Sequence, residues 1–129
     1  MNIIASNRPF PNRDIVNPNE LKSLLLEEKP EYIFFPYWSW KVPQNITNEY
    51  KCIGFHTGDI KGGSPIQNLI RCGVEKTHIR MFHLTDKIDD GQVICTADIS
   101  LLGSLEEIIL RQTDIMKGMI DGFIQTNFG

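Results

Sequence analysis

The sequence predicts an α/β domain built on a mostly parallel central sheet. Three observations predict it. Short runs of β-branched and aromatic residues alternate with helical patterns in the early order strand, helix, strand, strand, helix, strand. The apolar run from Cys52 to Phe55 ends on His56, and a glycine-rich stretch and a helix start follow, where open α/β sheets place their ligands. Ser104-x-x-Glu107 then opens the longest helical pattern of the chain.

The elements follow in order. Residues 2 to 6 form a short apolar strand that runs into the turn cluster Ser6 to Arg13, whose prolines forbid helix. Asn17-Pro18-Asn19-Glu20 starts a helix: Asn17 caps it, Pro18 suits its first position, Glu20 completes a capping box, and Leu21, Leu24 and Leu25 give it an apolar face. Lys29-Pro30 stops it. Tyr32 to Phe35 reads as a buried strand that empties into the aromatic loop Pro36 to Pro43. Residues 51 to 55 are the next strand, and Ile66 to Cys72 a helix ending at Gly73. Thr77 to Leu84 alternates polar and apolar residues and reads as a half-exposed strand. Gln92 to Ala97 is another strand, joined to it through Asp89-Asp90-Gly91, where Gly91 supplies a positive φ. That turn can close a hairpin, which makes the sheet mixed. The last helix presents Leu105, Ile108, Ile109, Ile115, Met116, Met119 and Phe123 on one face.

A length of 129 residues fits a single domain, 1–129, able to bury a core. A 41% hydrophobic and 22% charged composition is that of a globular protein. The net charge of −3 argues against a nucleic-acid partner. Cys52, Cys72 and Cys95 show no metal-ligand spacing, so no metal is expected, and a reducing cytoplasmic setting fits them. Neither a signal peptide nor a membrane-spanning run is seen.

Several residues can carry chemistry. His56 can donate to a developing oxyanion or move a proton, or it can simply bond a backbone carbonyl. Asp89 and Asp90 suit a plain turn, yet Asp89 after Ile88 can point inward and orient a histidine. Asp59, in the loop after His56, is a rival partner. Tyr37, Trp38 and Trp40 concentrate aromatic surface that either packs a core or grips a planar ligand. His78 and His83 read as structural. Gly118-x-x-x-Gly122 lacks the apolar membrane setting that would give it meaning.

Taken together, His56, then Gly62-Gly63-Ser64-Pro65-Ile66-Gln67, then Ile88-Asp89-Asp90-Gly91-Gln92-Val93-Ile94, resemble the catalytic domain of the formyltransferases that use 10-formyltetrahydrofolate. That family includes methionyl-tRNA, glycinamide ribonucleotide and sugar-nucleotide formyltransferases. The segment Pro30 to Pro43 resembles the family strand and loop that close on the pterin, and Gly103 to Ile108 its last helix start. The resemblance is strongest over residues 30–125. It implies a Rossmann-like, three-layer domain, shortened at the amino terminus.

The resemblance also implies roles. His56 takes the catalytic histidine position and Asp89 that of the catalytic aspartate, two residues before Gly91. Tyr37, Trp38, Ser39, Trp40, Lys41, Ile88 and Asp90 fall to the folate, and Asp59, Gly62, Gly63 and Ser64 to the acceptor. The family asparagine two residues before the histidine is Gly54 here. The activity implied is transfer of a formyl group from 10-formyltetrahydrofolate to a small-molecule primary amine, foremost a nucleotide-linked amino sugar. Alternatives are a methionyl-tRNA acceptor, hydrolysis of the formyl-folate, and a folate-binding domain without turnover. A tRNA acceptor is disfavoured by the negative charge and by the lack of a basic carboxy-terminal domain. A third reading is a plain α/β interaction domain whose helix over 104–125 serves a homodimer, against which stands the reading that the apolar residues of that helix cover the sheet.

Overall fold

The computed structural model describes residues 1–58, 65–85 and 91–128. Its elements are β1 (Asn2–Ile4), α1 (Pro18–Glu27), β2 (Tyr32–Phe35), α2 (Gln44–Glu49), β3 (Lys51–Thr57), α3 (Pro65–Arg71), β4 (Lys76–His83), β5 (Val93–Ser100) and α4 (Leu105–Phe128). The strands form one sheet in the order β1-β2-β3-β4-β5. β1, β2 and β3 are parallel, with Ile3 opposite Ile33 and Ile33 opposite Cys52. β4 runs against β3, since Leu84 N donates to Cys52 O and Gly58 N to His78 O. It also runs against β5, where His83 N donates to Gln92 O and Leu101 N to Glu75 O. The sheet is therefore mixed, parallel over its first three strands.

The chain divides into two compact units, Met1–Phe55 with Phe82–Val93, and His56–Met81 with Ile94–Gly129. In the first, Ile3, Ala5, Ile33, Phe35 and Cys52 pack with Ile15, with Leu21 of α1, with Val42 of the loop after β2, and with Ile46 of α2. On the alternate residues, Ile4, Phe34 and Ile53 are also buried. Burial on both faces explains why β2 reads as an unbroken apolar run rather than an alternating one. α1 begins as its sequence dictates: Asn17 Oδ1 accepts from Glu20 N at 2.9 Å, and Glu20 Oε1 accepts from Val16 N. The segment after β1 folds back on it. Asp14 Oδ2 accepts from Ile4 N at 2.9 Å, Asp14 N donates to Ile4 O, and Ser6 N donates to Ile15 O. The outer edge of β1 is thereby covered instead of being left open to another chain.

In the second unit, Ile79 and Met81 of β4 and Ile99 of β5 are buried, as are Ile66 and Leu69 of α3. Ser104 and Glu107 form a reciprocal cap: Ser104 Oγ accepts from Glu107 N, and Glu107 Oε1 from Ser104 N. Ile108, Gln112, Met116 and Ile120 make the buried stripe of α4, spaced four apart along the helix. Leu105, expected on that face, is 44% exposed, because it sits in the first turn before the stripe begins. Gly118 and Gly122 have nothing within 4 Å of an added Cβ, so they mark no close packing. No described helix is long and apolar enough to cross a membrane.

Candidate functional site

The site residues fall into three groups. The first is the loop after β2. Asn7 N donates to Tyr37 O at 2.8 Å and Asn7 Nδ2 to Ser39 Oγ at 3.0 Å, so the loops following the parallel strands β1 and β2 are tied together. Arg8 lies over the Tyr37 ring, 5.5 Å from its centroid, while Phe10 meets the same ring edge-on. Trp38 packs against Phe35 at 5.2 Å between ring centroids and joins the buried cluster around α1. Trp40 lies edge-on to Trp38 at 5.0 Å and is 43% exposed. Ser39 and Lys41 are exposed. Core packing thus accounts for Trp38, whereas Trp40 keeps aromatic surface open at the carboxyl edge of the parallel strands, where such sheets bind ligands. This loop offers an indole and an amine-bearing chain that suit a planar, acidic molecule.

The second group is the end of β3. The strand runs to Thr57, so His56 is its penultimate residue and lies within the ladder. His56 is half-buried; Thr57 and Gly58 are buried. Gln112 Nε2 donates to Thr57 Oγ1 at 2.7 Å, with both residues buried. Gly58 turns the chain at φ 81°, and a Cβ there would sit 2.6 Å from Leu69 Cδ1. Only glycine combines that φ with that contact. Upstream, Gly54 leaves room for its neighbours: an added Cβ would lie 2.9 Å from Leu84 Cγ and 3.1 Å from Phe82 Cζ.

The third group, Asp59, Gly62, Gly63, Ser64, Ile88, Asp89 and Asp90, lies outside the described residues. Gly91, at the end of that segment, is required sterically, since a Cβ would collide with the His83 carbonyl. Among the described residues no cluster of histidine, cysteine, aspartate or glutamate could hold a metal ion. Burial pushes the Cys52 thiol up to about 12 and raises that of Cys95, which makes both poor nucleophiles.

No known family profile matches the chain. Individual proteins do. Methionyl-tRNA formyltransferase from Bacillus thuringiensis (strain Al Hakam) is 31% identical over 85 residues, 62% of this chain and 26% of that protein. Methionyl-tRNA formyltransferase from Clostridium thermocellum superposes with a TM-score of 0.79 at 33% identity, over 98% of this chain and 65% of that one. By sequence and by fold, the chain is similar to methionyl-tRNA formyltransferases. HypX from Aquifex aeolicus, solved in complex with tetrahydrofolic acid, shares the fold at a TM-score of 0.71 and 16% identity, over 99% of this chain and 27% of that one. The chain spans about a quarter of the length of the curated relatives it matches.

The pair Thr57–Gln112 escaped the sequence reading. One signal was available: Gln112 is the polar member of an otherwise apolar stripe at four-residue spacing.

Proposed function

We propose that this protein transfers a formyl group from 10-formyltetrahydrofolate to a primary amine, with an amino sugar of a nucleotide sugar as the leading acceptor. The observation that carries the reading is the relationship to methionyl-tRNA formyltransferases, joined to His56 at the carboxyl end of a strand in the parallel part of the sheet. Amine attack on the formyl carbon moves charge onto the formyl oxygen. His56 donates a hydrogen bond to that oxygen, a contribution worth ~3 kcal/mol if it resembles an oxyanion-hole donor. Asp89, in its place two residues before Gly91, accepts the proton the amine must lose, directly or through water, so that it reaches the departing folate nitrogen. Trp40 and Lys41 suit the pterin and the acidic tail of the donor, and Tyr37 and Ser39 flank them on the same loop. Asp59, Gly62, Gly63 and Ser64 belong to the acceptor side, and Ile88 and Asp90 to the donor side.

A second acceptor is favoured by one observation: the Bacillus thuringiensis and Clostridium thermocellum proteins to which the chain is similar are methionyl-tRNA formyltransferases. The test is a formyl-transfer assay with 10-formyltetrahydrofolate against nucleotide amino sugars, methionyl-tRNA and water as parallel acceptors. Formylation of a sugar amine supports the leading acceptor, and formylation of methionyl-tRNA replaces it. Release of formate alone turns the reading to a hydrolase. Tight folate binding without turnover on any acceptor sinks the enzyme and leaves a folate-binding domain. Replacing His56 by Ala is expected to lower kcat by about 10²–10³-fold. Retained turnover in both His56→Ala and Asp89→Ala would overturn the residue assignment.

A further inference from the structure

We infer that Gln112 is a positioning residue for His56, acting through the buried hydroxyl of Thr57. The inference rests on the formyl-transfer reading for its kinetic consequence. Its structural basis stands on one compact unit of the chain. Successive side chains of a strand point to opposite faces, so Thr57 and His56 leave β3 on opposite sides. Thr57 turns to the face where α4 lies and receives Gln112 Nε2 at 2.7 Å. Thr57 is 4% exposed and Gln112 6%, so water does not compete for either group. Gln112 is held in the stripe Ile108, Met116 and Ile120, each at most 2% exposed, on a 24-residue helix. Just past the strand, Gly58 N donates to His78 O at 2.9 Å, and Gly58 turns the chain at φ 81°.

His56 thus stands next to the point where the backbone leaves the sheet. Strand ends fray, and backbone ladder bonds constrain a rotation about the strand axis less there than in mid-strand. A side-chain bond from a long helix, on the residue after His56, fixes that rotation. The direction of the imidazole is set by the same backbone. A hydroxyl in this place is not needed for packing, since valine has the same shape. The polar pair is therefore a directional device in an otherwise apolar layer.

The experiment compares Thr57→Val, Thr57→Ser, Gln112→Leu and the pair Thr57→Val/Gln112→Leu in the full chain. Thr57→Val is expected to lower kcat by about ten- to a hundredfold, the size of a misplacement of about 1 Å. KM for 10-formyltetrahydrofolate should stay within about twofold. Thr57→Ser, which keeps the hydroxyl, should restore kcat. The paired variant should recover melting temperature, because no buried polar group is left unpaired, and yet remain slow. That separation is what a merely structural bond would not produce. A second readout needs no turnover: the ring carbon–proton signal of His56 in NMR spectra of the protein alone. It should be single and sharp in the wild type and Thr57→Ser, and split or broadened in Thr57→Val and in the pair. If the wild type formylates nothing, the function proposed above fails while this signal still decides the inference. An unchanged His56 signal in Thr57→Val overturns the inference. So does a kcat that recovers in the paired variant together with its stability.

Discussion

Replacing Gly54 by Ala is expected to destabilise the protein through contact alone. The added methyl would lie 2.9 Å from Leu84 Cγ, 3.1 Å from Leu84 Cδ2 and 3.1 Å from Phe82 Cζ. Carbon atoms rest about 3.5–4.0 Å apart, so each neighbour must retreat by roughly half an ångström. The φ of Gly54 lies outside the left-handed region, which leaves no backbone strain to add. Leu84 packs against the buried cluster that contains Cys52, and its N–H is bonded to Cys52 O, so its retreat is resisted. Overpacking of this kind costs about 1–3 kcal/mol. In urea the midpoint should fall while the slope stays constant, the signature of changed stability without a changed unfolded state. Leu84→Ala deletes the atoms nearest the new methyl. The double variant should therefore be more stable than the sum of the two single losses allows, by about 1 kcal/mol or more. A neutral Gly54→Ala, or strict additivity in the double variant, would refute the contact argument. Gly54→Asn carries a longer side chain into the same space and should be at least as destabilised. It should not raise turnover above that of the wild type.

Other outcomes follow from single features. Hydrogen bonds from Ser104, its backbone N–H foremost, hold the Glu107 carboxyl below its ordinary 4.5. A lowered folded-state pKa gives stability that is present above 4.5 and lost as pH falls through the lower folded value, so thermal melts should show this loss below pH 4.5 in the wild type and not in Glu107→Gln. Ser104→Ala should cost about 0.5–2 kcal/mol at neutral pH by chemical denaturation, the range for a lost helix cap. Thiol labelling followed by mass spectrometry should modify the exposed Cys72 in the folded protein and Cys52 only after unfolding; prompt labelling of Cys52 would contradict its burial. Gly91→Ala should reduce stability by more than Gly118→Ala does, because a Cβ at Gly91 meets the His83 backbone, which cannot turn away as a side chain can, whereas Gly118 has open space.

The caps of α1 and α4 were legible in the sequence because their bonds span four residues or fewer: Asn17 with Glu20, Val16 with Glu20, Ser104 with Glu107. β4 was legible because its buried Ile79 and Met81 alternate with more exposed neighbours. α2 was not. Gln44-Asn-Ile-Thr-Asn-Glu49 buries one residue, Ile46, and has no side-chain cap, so neither period nor boundary signal exists. β3 and β5 extend past their apolar runs, to Thr57 and Ser100, because ladder bonds continue through polar residues. For the same reason His56 was placed at the end of its strand when it is one residue inside. His56 could be singled out locally. Its environment could not, since Thr57 and Gln112 are 55 residues apart and no local pattern pairs them.

These two observations at β3 bear on each other. Within the formyl-transfer reading, position 54 can supply no side-chain donor to the formyl oxygen, and Leu84 and Phe82 leave no room for one. More of the electrostatic stabilisation then falls on His56. A hydrogen bond weakens steeply as it departs from linearity, so a donor that carries more of the stabilisation is more sensitive to a rotation of its strand. The buried bond from Gln112 to Thr57 opposes that rotation. It follows that substitutions at Thr57 should lower turnover more in this chain than substitutions at the equivalent position of a relative that keeps an asparagine two residues before its histidine. Equal sensitivity in the two proteins, measured as the ratio of kcat with and without the hydroxyl, would separate Gly54 from Thr57 and leave the missing donor without compensation.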